Sequence, residues 1–242
     1  MTSSNHSRDR AVQGMFDDVA PRYDLLNRII SFRLDRRWRN AAVAAALRGN
    51  VGLILDLGTG TGDLAFAAAA KCDAGVVGLD GSLEMLRLAQ GKRARAARTQ
   101  QAVFVQGSAL SAPFKAGVFD AVMSAFVLRN VSDLKLFFTE SQRVLKPGGL
   151  LVMLDMFPPP RSWFSPLYAC YFYRIVPWIG KAVSPHGQAY RYLSDSVRRF
   201  HSPETVAKLI EEATFESPEL HKFLNGAVCL HVARKPQAPH SL

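Results

Sequence analysis

The sequence predicts an α/β protein with a mostly parallel, twisted sheet and helices on both of its faces. Three observations predict it. Short apolar runs alternate with helix-forming segments from residue 53 to residue 154, the pattern of parallel strands joined by crossover helices. The first run breaks into three alternating glycines, Leu55-Asp56-Leu57-Gly58-Thr59-Gly60-Thr61-Gly62, a bend whose backbone can come into direct contact with a bound molecule. The second run, Val76-Val77-Gly78-Leu79, ends in Asp80, 20 residues beyond Gly60. A carboxylate at that place stands at the end of the neighbouring strand, where it accepts both hydroxyl protons of a ribose.

Glycine-rich bends also serve as ordinary turns, so the spacing matters. The third glycine comes one residue earlier than in the G-x-G-x-x-G dinucleotide fingerprint. Together with Asp80 the bend implies an adenosine moiety, from a methyl donor or a dinucleotide. The G-x-G-x-G form resembles motif I of the S-adenosylmethionine-dependent methyltransferases.

The elements follow in order. Residues 1–10 are polar and read as a frayed tail. Apolar positions Val12, Met15, Phe16 and Val19, then Leu25, Leu26, Ile29 and Ile30, recur at three-to-four spacing and predict two helices divided by Pro21. Helix continues over Ala41–Leu47 and stops at Gly49-Asn50. Strands are predicted at 53–57, 75–80, 102–105, 119–124 and 150–154. Helices are predicted over Leu64–Lys71, over 82–90 behind the cap Ser82, and over 132–145, the last ended by Lys146-Pro147-Gly148-Gly149. A helix Pro203–Ala213 and strand-like runs at 215–223 and 226–233 close a single domain, 11–235, before a tail at 236–242. Ligands in such sheets bind beyond the carboxyl ends of the strands. That rim carries Gly58 to Gly62, Asp80, Ser108, Ala125 to Asn130, and Asp155.

The segment 157–185 departs from the alternation. Residues 157–184 of it hold Phe157, Trp163, Phe164, Tyr168, Tyr171, Phe172, Tyr173 and Trp178 together with five prolines. Its apolar part is too short and too interrupted to span a membrane. Three readings stay open: buried core, a lid over a greasy substrate, or a membrane-surface anchor.

Composition bounds the partners. Hydrophobic residues make up 48% and charged residues 21% of 242, which excludes wholesale disorder. A net charge of +10 suits a polyanionic neighbour, nucleic acid or an anionic membrane surface. Arginines cluster at 28, 33, 36, 37 and 39; a second cluster joins Lys92 to Arg93, Arg95 and Arg98. The stretch 92–100 lacks interleaved aromatics and reads as a solvated connection rather than a nucleic-acid patch. Cys72, Cys170 and Cys229 have no metal-ligand spacing and fit free buried thiols in a reducing compartment. No signal-peptide core precedes the domain, so a cytoplasmic protein is expected, with an oligomer left open.

Four motifs resemble the UbiE/MenG family of quinone-biosynthesis C-methyltransferases over almost the whole chain. Tyr23, Asp24, Leu26, Asn27, Ile30, Ser31, Asp35 and Trp38 form the first, with Leu26 where the family usually has Met and Asp35 where it usually has His. LDLGTGTGDLA at 55–65 is the second. The third, A-F-V-L-R-N-V at 125–131, has Val127 in place of glycine. R-V-L-K-P-G-G at 143–149 is the fourth, followed by Asp155 for the usual Glu and Phe157 for the usual Ser; Tyr190-Arg191-Tyr192-Leu193 adds a later signature. The second and fourth are common to many small-molecule methyltransferases, whereas the others are more selective.

The resemblance implies a Rossmann-like class I methyltransferase fold, with N-terminal helices over 11–48 and the segment 157–185 as a lid. It implies S-adenosyl-L-methionine as cofactor and no metal. Thr61 and the surrounding glycines Gly58, Gly60 and Gly62 would face the methionine part, with Asp56 and Thr59 also cofactor-binding. Asp80 would hold the ribose, Ser108 and Ala109 would sit by the adenine, and Ala125 would line the site. The acceptor would be a polyprenylated quinol, demethylmenaquinol or a ubiquinone-type precursor, approached through peripheral membrane contact. The short chain without a targeting segment favours the menaquinone branch. A quinol carbon becomes nucleophilic as the adjacent hydroxyl loses its proton. This assigns catalysis to Arg129 and Asn130, with Asp155 and Asp24 as candidate proton acceptors; for Arg129 a rim ion pair is the competing reading.

Three other readings stay open: a methyltransferase for another small molecule, a nucleic-acid methyltransferase, and a non-catalytic assembly subunit. The second lacks the N/D-P-P-Y type of motif where Ala125-Phe126-Val127-Leu128 stands.

Overall fold

The computed structural model describes residues 3–95, 101–159, 165–176, 178 and 188–237. Expectations placed on 96–100, 160–164, 179–187 and 238–242, Arg98, Trp163 and Phe164 among them, lie outside the described residues.

Strands β1 (Leu53–Leu57), β2 (Gly75–Asp80), β3 (Ala102–Gln106), β4 (Phe119–Ala125), β5 (Leu145–Met156), β6 (Glu219–Phe223) and β7 (Val228–Arg234) form one sheet in the order β3-β2-β1-β4-β5-β7-β6. The first five pair in parallel, and β7 runs antiparallel to both β5 and β6. After β3 the chain returns to the far side of β1, so the switch point lies between the carboxyl ends of β1 and β4.

Alternation along β1 divides the core. Ile54 faces one layer, with Trp38, Ala42 and Val43 of α2 (Leu34–Ala46) and Leu64, Ala65 and Ala68 of α3 (Asp63–Ala69). Leu55 and Leu57 face the other layer, with Phe137, Phe138 and Val144 of α5 (Leu134–Val144) and Val206 and Ile210 of α8 (Pro203–Glu212). Alanines let α2 and α3 approach the sheet closely, while phenylalanines fill the wider gap under α5. Ser82 caps α4 (Leu83–Arg93) as expected, accepting from Met85 N (3.1 Å), and two further caps are seen, Asp133 accepting from Leu136 N (3.0 Å) and Ser202 from Thr205 N (3.2 Å).

Three regions differ from expectation. The N-terminal segment is one helix, α1 (Ser3–Ile30), which includes most of the expected tail and runs through Pro21. An interior proline costs about 3 kcal/mol, and tertiary bonds offset it: Asp17 meets Ser82, and Asp24 meets Thr61 and Lys92. The helical break falls instead at Ser31–Arg33, where Phe32 and Arg33 take φ of 50° and 62°. Lys146–Gly149 belongs to β5 rather than to a loop before it, absorbed by a register shift between Phe119 and Ala121. Helix α7 (Gln188–Arg199) was not anticipated. It packs Val197 with Ile30, Ala227 and the aromatic segment, where α6 (Ser165–Cys170) continues as a π-helical turn, Tyr171–Ile175.

Candidate active site

The glycine bend sits at the switch point. Gly58, Gly60 and Gly62 all have positive φ, at 70°, 56° and 84°. At Gly58 space as well as conformation forbids a side chain, because a Cβ would lie 2.5 Å from Cγ2 of Val127. The bend is tied to β2 by Gly58 N and Thr59 N, which both donate to Leu79 O (2.8 and 3.0 Å), and by Gly60 N, which donates to Asp80 Oδ2 (2.7 Å). Ser82 N donates to Asp80 Oδ1 (2.8 Å). Each carboxylate oxygen keeps a further lone pair. Burial, with the nearby Asp17 charge adding to it, holds the Asp80 carboxyl above its usual range against these hydrogen bonds.

Around this bend lies an open cavity whose lining includes Gly58, Gly60, Asp80, Ser108, Ala109, Ala125 and Asn130. Leu79, Met85 and Leu110 supply its apolar wall, and Phe16 and Tyr23 of α1 close over it. Ser108 Oγ accepts from Leu110 N (3.2 Å). A carboxylate with spare lone pairs beside exposed backbone and an apolar slot fits a nucleoside such as that of S-adenosylmethionine. A small adjoining cavity is lined by Asp56, Thr59, Thr61, Ala125, Tyr23 and Arg39. Thr59 Oγ1 donates to Asp56 Oδ2 (2.7 Å), and burial pushes the Asp56 carboxyl up to about 7. Thr61 Oγ1 donates to Asp24 Oδ1 (2.6 Å) and accepts from Lys92 Nζ (2.9 Å), which also bonds Asp63 (2.7 Å) and pairs with Asp24.

A second cavity of about 390 Å³ opens beyond Tyr23 and Phe126, which line both it and the cofactor-side cavity. Its walls are almost wholly apolar: Ile30, Phe32, Leu34 and Trp38 from the N-terminal helices, Met156 from β5, and Tyr168, Tyr171, Phe172 and Ile175 from the aromatic segment. Burial raises the Tyr168 hydroxyl, so it stays neutral at physiological pH. Two cationic groups face this cavity. Arg129 lies 5.9 Å from the Phe126 ring centroid and Arg39 lies 5.1 Å from it. Arg129 NH1 donates to Asp155 Oδ1 (2.6 Å), while its Nε has no partner. Phe126 takes φ of 66°, a strained value for a bulky residue.

The sequence-derived catalytic set is therefore divided. Arg129 lines the apolar cavity, and Asp155 stands behind it, fully buried and outside the lining. Asn130 faces the cofactor-side cavity instead, its Nδ2 donating to Phe126 O (3.4 Å). Asp24 is drawn into the Lys92 and Thr61 network and does not line the apolar cavity. Of the two candidate proton acceptors, Asp24 on α1 and Asp155 on β5, neither lines the apolar cavity. Sequence reasoning missed Arg39 and the role of Lys92, the first a residue of the N-terminal arginine cluster, the second read as part of a solvated stretch. An acidic and a basic residue four apart, Asp35 and Arg39, around the buried Trp38, was the available signal. Of the three cysteines only Cys229 is buried, its thiol pushed up to about 12 by burial; Cys170 is exposed.

The chain matches the ubiE/COQ5 methyltransferase family over residues 1–235. It is 43% identical over 223 residues to a demethylmenaquinone methyltransferase of Thermus thermophilus, covering 92% of this chain and 100% of that one. It is 42% identical over 218 residues to the ubiquinone/menaquinone biosynthesis C-methyltransferase UbiE of Syntrophotalea carbinolica, covering 90% and 91%. Among solved structures, a SAM-dependent methyltransferase of Thermotoga maritima superposes with a TM-score of 0.65 at 19% identity, over 93% of this chain and 99% of that one. That last likeness speaks for the fold alone. The glycine bend at the switch point and the whole-length match together place this chain in the ubiE/COQ5 methyltransferase family.

Proposed function

We propose that this chain transfers a methyl group from S-adenosylmethionine to a ring carbon of a prenylated quinol, demethylmenaquinol first and a ubiquinone-type precursor second. One observation carries the reading: the cofactor-side cavity and a large apolar cavity meet at Tyr23 and Phe126. The bound donor supplies a methyl group already activated on a positively charged sulfur. The protein's task is to align, exclude water and manage a proton. The glycine bend and Asp80 hold the nucleoside side, and Ser108 and Ala109 flank the base. The ring enters the apolar cavity against Phe126. Arg129, kept in place by Asp155, stabilises the negative charge that develops on the ring oxygen.

The mouth of the apolar cavity supports peripheral membrane contact. Phe32 is 71% exposed and lines the cavity, as do the exposed Ile175 and Leu224, and Trp178 beyond them is 71% exposed. Arg28, Arg33, Arg36 and Arg37, all exposed, belong to the same N-terminal segment as Phe32, a composition suited to an anionic bilayer surface. Among the described residues no helix is long and apolar enough to cross a membrane. A lipid chain therefore enters from the side of the bilayer.

The test incubates the protein with carbon-labelled methyl donor and, separately, demethylmenaquinol, the ubiquinone-type intermediate and a water-soluble amine. Label on the ring carbon of the naphthoquinol is expected. Label on the amine alone would sink the reading.

A further inference from the structure

We propose that Asp35 is the acceptor of the quinol's hydroxyl proton, held for that task by Ser31 and Arg39. The inference rests on the apolar cavity being the quinol site. Among the described residues that line the cavity, Asp35 is the carboxylate; Asp24 and Asp155 do not reach it.

Its setting is otherwise costly. The side chain is only 4% exposed, beside Ile30, Leu34 and Trp38. A buried ion pair seldom stabilises a fold better than apolar residues of the same volume, so a pair kept at a cavity wall points to a polar atom in the occupant. Ser31 Oγ donates to Asp35 Oδ1 (2.9 Å), and Arg39 NH1 donates to Oδ2. A carboxylate offers about four acceptor sites, so about two remain beyond these bonds on a residue that lines the cavity. Arg39 and Arg129 both lie within 6 Å of the Phe126 ring centroid. Arg39, the partner of Asp35, and Arg129 thus flank one aromatic wall.

The proton balance closes. As the ring carbon forms its bond to the methyl carbon, the sulfur–carbon bond breaks with its electron pair left on sulfur, and the hydroxyl proton passes to Asp35. The hydroxyl becomes far more acidic as that carbon–carbon bond forms, so a weak base suffices. The keto tautomer then releases its ring proton to water and recovers the hydroxyl proton from Asp35. One proton is released per turnover.

Arg39 also lines the small cavity under the glycine bend, so the pair has a competing task, holding the cofactor's carboxylate. The experiment separates the two with Asp35→Asn, Asp35→Ala and Arg129→Ala in the full chain. For Asp35→Asn the account expects a fall in kcat of roughly 10²–10⁴-fold. Affinity for S-adenosylmethionine by calorimetry is unchanged, and so is binding of 1,4-dihydroxynaphthalene by fluorescence without donor. Added formate restores part of the Asp35→Ala rate and none of the Arg129→Ala rate. Should Asp35→Ala fail to fold, the near-isosteric Asp35→Asn decides through kcat and donor affinity. Turnover of Asp35→Asn within about threefold of the unaltered protein overturns the proposal, and so does a loss that follows donor affinity alone. If the unaltered protein methylates no quinol, both this proposal and the substrate reading fall. If it does so and Asp35→Asn matches it, only this proposal falls.

Discussion

The two cavities on either side of Phe126 are built from different materials. The cofactor side is made by strand ends of one sheet, with the backbone of the glycine bend and one carboxylate, Asp80, lining the cavity. The apolar side is made by side chains from α1, α2, the aromatic segment and β5, elements far apart in sequence and outside the regular β-α alternation. A backbone site tolerates almost no change where the chain bends. A side-chain site can alter its preference one residue at a time while the fold stays intact.

The contrast is easiest to break at Gly58. A valine there would combine left-handed strain of about 1–3 kcal/mol with overlap of Val127. Affinity for S-adenosylmethionine should fall by roughly 100-fold or more, measured by calorimetry. Adding Val127→Gly should return the overlap part and not the strain part. Recovery of full affinity would mean that the backbone is not the constraint.

Arg129→Ala should act on the other side. The expected loss in kcat is about 100-fold, with donor affinity unchanged. A proportional loss of donor affinity would erase the division between the cavities. Asp80→Asn should weaken donor binding by about tenfold, the scale of a charged hydrogen bond, and leave binding of 1,4-dihydroxynaphthalene alone. Phe32→Ser with Trp178→Ser should cost several-fold in turnover on quinol embedded in anionic vesicles, burial of one large side chain being worth about 1.5–3 kcal/mol. Turnover on a short-chain quinol in solution should not change. Equal losses on both would remove the membrane from the account.

The smallest effect concerns stability. Burial holds the Asp56 carboxyl up to about 7 against a model-peptide value near 3.8. Between those values the native state binds more protons than the unfolded chain, so this group's contribution to stability declines as pH rises from about 4 to 7. Asp56→Asn removes the slope, on the order of 1 kcal/mol per pH unit. The variant should gain on the unaltered protein in thermal unfolding as pH climbs through that window. A parallel pH dependence of the two would contradict the assignment.

The same contrast explains what was legible in the sequence. Asp80 was readable because backbone sites fix spacing: 20 residues from Gly60 is one crossover and one strand. Ser108 and Ala125 followed from strand ends. The apolar cavity was readable only as an excess of aromatics, since no spacing relates Ile30 to Tyr168. That Asp155 stays out of the apolar cavity has a physical cause. Nearness to a strand end does not say which face a side chain takes, and Asp155 points into the layer under α5, behind Arg129. Pro21 misled because local propensity was outweighed by bonds from Asp17 and Asp24 to distant loops. The helical character of the N-terminal segment was written in the periodicity, whereas α7 lay in a segment read only as a signature.

The most direct test of the two-cavity account is a structure of the protein with S-adenosylhomocysteine and a short-prenyl naphthoquinol bound together. The account predicts the ribose on Asp80 and the naphthoquinol ring against Phe126, its reacting carbon turned to the sulfur and its oxygens towards Arg129 and Asp35. A ring bound outside the cavity lined by Trp38, Phe126 and Phe172, or a nucleoside away from Asp80, would contradict it.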